Sequence, residues 1–508
     1  MKRMLLGVLA CLCAVAPASA EAPSRAQAAA DAITELDVEG ARKLLDTASN
    51  APTLAFERAR LAIYVGDCDT AAAILSAPDF QSAAEIAGLA ELAKSCARAT
   101  AAAVVVEDKD AGLWIRLQDE ADRALVPFIT EVSVKARAQV AKDLGVELPR
   151  PLRIDLVRDL FSLSAVSGLP VAAAENTGTV AVARWGRVTM LSPRATLLGY
   201  PWEDTLAHEI THLGLSRATR DRAPLWLQEG IAKREETRWR APRPFDHEPA
   251  PDQVARRALL EGRSVGVDKL GPSIAMLPSP EAASIAFSEV TSFMDYWVRE
   301  NGTPALHLLL ADLKGLGNDD ASAALRSVTG YDLPQWIARW QSWLRSLPET
   351  GTLPNEAEQI SQAERNELPR RVRLGDLLFA RGEPKAAAAQ LDLGMRGAPT
   401  EAALRWRAAR AHLAAGAREP ALTALGKPTD IRSVHGGYFA LQGRVSKEQN
   451  DPAAAETSFR LGIAVDPVFE DVACEGQWSP RKSGGPPPLP DEPNRRTLCE
   501  AARKMPRD

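Results

Sequence analysis

Two histidines four residues apart, with a glutamate beside the first, are the residues of this chain best placed to do chemistry: Ala207-His208-Glu209-Ile210-Thr211-His212-Leu213-Gly214. On a helix, side chains at i and i+4 lie one above the other. His208 and His212 can then offer two imidazole nitrogens to a single zinc ion. Glu209 is rotated by about 100° from His208, so it addresses a water beside the metal rather than the metal itself. A catalytic zinc needs a third protein ligand and an open fourth position. The candidate is Glu229, in Pro224-Leu225-Trp226-Leu227-Gln228-Glu229-Gly230-Ile231-Ala232, with 16 residues between it and His212. That spacing leaves room for the first helix to end, a turn through Arg217 to Arg222, and an antiparallel return. The competing reading is an amphipathic helix carrying two solvated histidines. The chain has six His in all, and two fall here beside a Trp-Leu-Gln-Glu-Gly run, which favours the metal.

These residues need elements to position them. Pro201 suits a first helical position, and Glu203 and Asp204 put negative charge in the first turn, where the helix dipole favours it. Leu206, Ile210 and Leu213 form an apolar stripe turned away from the two histidines. Upstream, Leu152–Val157 alternates like a strand. Thr179–Ala183 and Arg187–Leu191 are β-branched runs around Arg184-Trp185-Gly186, a hairpin with Gly in its turn; Trp185 reads as a packing residue. Downstream, Ala241–Pro251 is a Pro-rich loop containing His247, a remote candidate for a further ligand. Helices follow at about 253–262, 281–300, 304–315, 319–328 and 333–346. Trp297, Trp336, Trp340 and Trp343 lie at helical spacing and read as core.

His208-Glu209-x-x-His212 followed by Trp226-Leu227-Gln228-Glu229-Gly230-x-Ala232 resembles the gluzincin metallopeptidases. It is similar to the aminopeptidase N-type pattern W-L-N-E-G-x-A, and more so to bacterial peptidase MA-like proteins fused to tetratricopeptide repeats. The resemblance is motif-grade between 199 and 233 and looser over 110 to 347. It implies a zincin fold, zinc on His208, His212 and Glu229, and Glu209 as the water-activating base. It also implies a strand along the cleft, for which the two runs flanking Trp185 are candidates and to which an extended peptide can add by main-chain hydrogen bonds. Two departures stand out. No G-x-M-E-N segment precedes the motif, and Phe287 occupies the place of a tyrosine that stabilises the oxyanion. Tyr200, His247 and Tyr296 are the candidates to supply that donor.

The ends of the chain are of another kind. Residues 1–20 read as a signal peptide, with Lys2 and Arg3 ahead of an apolar run from Met4 to Val15 and Ala18-Ser19-Ala20 at the cleavage site. The expected location is periplasmic or extracellular, and a lipoprotein anchored at Cys11 is the less favoured variant. Loss of this segment removes two cations and no acid, so the net charge of −5 becomes −7. That argues against nucleic acid or an anionic membrane as the main partner. Cys68, Cys96, Cys474 and Cys499 remain, and proximity favours Cys68–Cys96 and Cys474–Cys499 over the other pairings. Toward the C-terminus, Gly375, Ala409 and Gly443 recur every 34 residues, as do Ala387, Ala421 and Ala455, and Leu391, Leu425 and Phe459. That is the tetratricopeptide period.

The expected architecture is α+β and mainly helical. It has a signal peptide (1–20), an N-terminal helical, repeat-like region (21–107), a zincin-like peptidase domain (108–347) and a linker (348–366). Tetratricopeptide repeats (367–470) and a Pro/Gly-rich tail with a Cys pair (471–508) complete it, the tail being extended from Ser479 to Asn494. The expected function is zinc-dependent hydrolysis of peptide bonds, with Zn²⁺ as cofactor, a peptide or protein substrate and a protein partner on the repeats. The alternative is a repeat scaffold whose zincin domain is catalytically degenerate.

Overall fold

The computed structural model describes residues 24–47, 49, 51–80, 84–196, 199–243, 245–246, 249–315, 320–348, 362–475 and 492–504. The expected signal peptide, His247 and most of the expected linker and tail lie outside them. The chain is mainly helical with one small mixed sheet. Among the described residues no helix is long and apolar enough to cross a membrane.

The sheet has five strands: β1 (Val104–Asp108), β2 (Leu113–Leu117), β3 (Leu152–Val157), β4 (Ala181–Arg184) and β5 (Arg187–Leu191), in the order β1-β2-β3-β5-β4. β2, β3 and β5 run parallel, and β1 and β4 are antiparallel at the two edges. The hairpin expected around Trp185 is present. Trp185 and Gly186 both take positive φ (56° and 68°), the backbone of a two-residue turn whose twist matches its strands. Trp185 packs edge-on against Tyr64 and donates its indole N–H to Ser167 O at 3.0 Å. The domain boundary expected between 107 and 108 cuts through the β1–β2 hairpin. The sheet begins at Val104, inside the stretch read as helical, because the Ala-rich run before it hides the three valines that start β1.

Strands covered on both sides are buried throughout, and each face of this sheet has its own cover. Ile154, Leu156, Val188 and Met190 share a core with Leu206 and Ile210 of the motif helix (Trp202–Thr219). On the other face, Val157 and Leu191 pack with Leu163, Val166 and the Cys68–Cys96 disulfide. The polar position of β3 does not face water. Asp155 is buried between Arg116 (2.7 Å) and Arg187 (2.8 Å), and these guanidiniums donate in turn to Gly66 O and Ile63 O of the N-terminal helices. A buried carboxylate bridging two buried cations is stable only when every member is paired, so this network binds the N-terminal helices to the sheet.

The tryptophans expected in the core are there. Trp297, Trp336 and Trp340 are buried, and Trp343 packs partly buried against them. The helices expected at 281–300 and 304–315 meet at Gly302, whose φ of 81° and ψ of 165° break the long Pro280–Gly315 segment just before Pro304.

The C-terminal region is a run of helices at Gln362–Ala380, Pro384–Gly397, Ala402–Ala414, Arg418–Leu425, Gly436–Glu448 and Pro452–Ile463. The 34-residue spacing has a structural counterpart. A Cβ on Gly375 would lie 2.6 Å from Leu391, and one on Gly443 would lie 2.7 Å from Phe459, the equivalent contact two periods later. Gly382 and Gly416 take positive φ at the inter-helix turns, and the third equivalent, Asn450, does the same (φ 60°), as Asn is able to. Two bounds shift from expectation. Helix begins at Gln362, within the expected linker, and Glu492–Arg503 is helical, although the tail is expected to be extended as far as Asn494. Cys499 on that helix pairs with Cys474.

Candidate metal centre

The motif helix starts one residue later than Pro201 and runs to Thr219, longer than the expected turn from Arg217 allows. The reversal is made instead by Arg220 and Asp221, both with positive φ (55° and 58°). The next helix, Leu225–Glu235, returns alongside the first. Two glycines set how closely these helices can approach their neighbours. A Cβ on Gly214 would fall 2.6 Å from Val140 of helix Val126–Leu144, and one on Gly230 would fall 2.6 Å from Val290 O and 2.5 Å from Met294. Only glycine lets the segment next to Glu229 lie that close to helix 280–301.

The four residues singled out in the sequence come together. His208 Nε2 and His212 Nε2 are 3.1 Å apart, and Glu229 Oε2 lies 3.6 Å from the first and 3.9 Å from the second. These are the donor types zinc takes, and their atoms lie within 4.8 Å of one another. An ion held tetrahedrally at about 2.0–2.1 Å from each donor separates the donors by roughly 3.3 Å, so the present spacing fits such an ion with small adjustments. Glu209, 8% exposed, opens onto the adjoining cleft, and its carboxylate makes no hydrogen bond or ion pair with another described residue.

Two further residues of the site escaped the sequence reading. Glu236 Oε2 lies 3.3 Å from His208 Nδ1, and Lys233 Nζ donates to Glu236 at 3.0 and 3.2 Å. The signal was present: Glu229, Lys233 and Glu236 stand at i, i+4 and i+7, one face of a helix. A carboxylate on the outer nitrogen of a ligating histidine fixes its tautomer and ring orientation. His212 has no such partner among the described residues, and its Nδ1 is buried.

The electrostatics are those of a site that attracts cations. Burial disfavours a charged His208, but hydrogen bonds to Glu229 and Glu236, with the charge of Glu209, raise its pKa to about 9. Burial and the neighbouring His208 lower that of His212. Burial works against ionised Glu236, yet Lys233 and His208 hold it down at about 2. Glu229 is lowered too, its burial outweighed by the two histidines. Three carboxylates therefore face one lysine around the donor set.

The cleft beside these residues has a volume of about 870 Å³, and its lining includes Ala172, Gly178, Ala181, Leu277, Ser284 and Phe287. β4 is the sheet edge at this cleft. Of the two runs flanking Trp185 it is therefore the first, not the inner Arg187–Leu191, that forms an edge of the sheet. Of the candidate oxyanion donors, Tyr200 spends its hydroxyl on Leu191 O (2.5 Å), and Tyr296 is stacked on Trp343 in the core. Neither lines the cleft. Phe287 does, with Lys233 Nζ 5.5 Å from its ring centre.

Comparison of the chain with protein-family models, with curated proteins and with solved structures gave no match.

Proposed function

We propose that this protein is an exported zinc-dependent peptidase of gluzincin type, hydrolysing peptide bonds with Glu209 as the base. In this reading its C-terminal helices are tetratricopeptide repeats that bind protein partners or substrate. The observation that carries the reading is the approach of Glu229, from a second helix, to within 4 Å of both imidazoles of the H-E-x-x-H pair. Zinc at such a site supplies an acidified water and a Lewis acid for the carbonyl. The chain's own residues do the rest. His208, His212 and Glu229 hold the ion, Glu236 orients His208, and the edge strand β4 aligns an extended substrate. Glu209 takes the proton of the attacking water and delivers it to the leaving amine. The leader pattern in residues 1–20 and two disulfides support an oxidising, exported location.

The test is zinc content by mass spectrometry together with casein cleavage, with and without chelator. Wild-type protein should carry one zinc and cleave casein until chelated. Glu209→Gln should keep its zinc and lose turnover by about 10²–10⁴-fold, whereas Glu229→Ala should lose the metal. A second reading, an assembly scaffold with a structural zinc, is favoured by Phe287 and by the engagement of Tyr200 and Tyr296 elsewhere. It requires zinc-loaded protein that cleaves nothing.

A further inference from the structure

Peptide hydrolysis places negative charge on the substrate's carbonyl oxygen, and a donor aimed at that oxygen is worth about 10²–10³ in kcat. No tyrosine hydroxyl reaches the cleft among the described residues. One cation does. Lys233 lines the cleft together with His208, Glu209 and Phe287. It stands one helical turn beyond Glu229, so its stem runs up the face that carries the ligand carboxylate. Its ammonium is held from one side by Glu236 and lies over the Phe287 ring. An ammonium has three N–H donors, and the contacts to Glu236 leave at least one for an incoming oxygen. Phe287, lacking a hydroxyl, gives the ammonium an apolar wall and a π face.

Resting on the peptidase reading, we propose that Lys233 is a catalytic residue, the electrophile that stabilises the oxyanion from the Phe287 side of the cleft. As water oxygen bonds to the carbonyl carbon, the water proton passes to Glu209 and the carbonyl π pair moves onto oxygen. Lys233 donates a hydrogen bond to that oxygen and keeps its own proton. On collapse the C=O double bond re-forms, the C–N bond breaks, and the Glu209 proton goes to the amine nitrogen.

The rival role is positioning alone, with Lys233 serving only to hold Glu236 against His208. Zinc-loaded wild type, Lys233→Met, Lys233→Arg and Glu236→Gln separate the two. Each is assayed for zinc stoichiometry, for kcat and KM on a peptide cut from casein, and for affinity toward a phosphinic pseudopeptide of the same sequence, which mimics the charged tetrahedral oxygen. Lys233→Met is expected to keep one zinc and a KM within about threefold while losing 10²–10³-fold in kcat. Its phosphinic affinity should fall in parallel, and Lys233→Arg should recover at least tenfold. An unchanged kcat, or zinc loss matching that of Glu236→Gln, overturns the assignment. A wild type that holds zinc, yet turns over no substrate, removes the peptidase reading itself and this inference with it.

Discussion

At the scale of single residues, the donor set differs from a pair of solvated histidines in what stands behind it. His208 is fixed through Nδ1 by Glu236, which is itself fixed by Lys233, so the contacts cross from the second helix and its C-cap to the motif helix. A carboxylate in that position raises ligand basicity and sets ring orientation, and its loss typically costs 10–100-fold in metal affinity. Glu236→Gln keeps the shape and removes the charge. A zinc-binding titration against a competing chelator should show an affinity lower by that factor. An affinity equal to wild type would mean that Glu236 is only a counter-ion for Lys233.

At the scale of elements, the geometry of the His208, His212 and Glu229 donors depends on how closely three helices pack. Gly230 abuts the main-chain oxygen of Val290, which cannot move without unwinding helix 280–301. Gly230→Ala therefore displaces helix 225–235, and Glu229 with it. Overpacking of this kind costs about 1–3 kcal/mol, and the proposed zinc site should weaken as well. Urea denaturation with a zinc titration checks both at once. A variant as stable as wild type, with its zinc affinity intact, would show that the neighbouring helix yields. Gly214 against Val140 makes the same argument at the other helix, though there the neighbour is a side chain.

At the scale of the whole molecule, the C-terminal helices buttress the motif helix directly. Trp202, fully buried, donates its indole N–H to Ile463 O; Arg460 pairs with buried Glu203; Tyr200 N donates to Val465 O. His435 lies in this region, 6% exposed and packed on Trp406. Its burial, helped by Arg407 and Arg410, lowers its pKa from 6.5 to about 4. A histidine kept neutral in the folded state contributes stability that is full above pH 6.5 and is lost as the pH falls to 4, because only the unfolded chain takes up the proton in that window. The shift corresponds to about 3 kcal/mol. Unfolding free energies from denaturant titrations between pH 7 and pH 4 should fall by this much more in wild type than in His435→Asn. Equal slopes would place the acid-labile group elsewhere.

The sequence by itself determined the local features. The i, i+4 histidines, the Leu206-Ile210-Leu213 stripe, the strand at 152–157, the hairpin around Gly186 and the 34-residue period all follow from short-range rules, since a helix or strand period fixes which side chains share a face. The disulfide pairs followed from proximity along the chain. The tertiary structure decided what distant segments do to one another. Asp155 reads as the polar side of a half-buried strand, yet two arginines from neighbouring strands and the N-terminal helices above them bury it. Tyr200 and Tyr296 qualify as donors by residue type and are disqualified by where their hydroxyl and ring are spent. Lys233 and Glu236 gain meaning only when Glu229 is brought beside His208. Residue type and period are local properties of a chain, whereas burial, pairing and the convergence of donor atoms depend on which elements pack together.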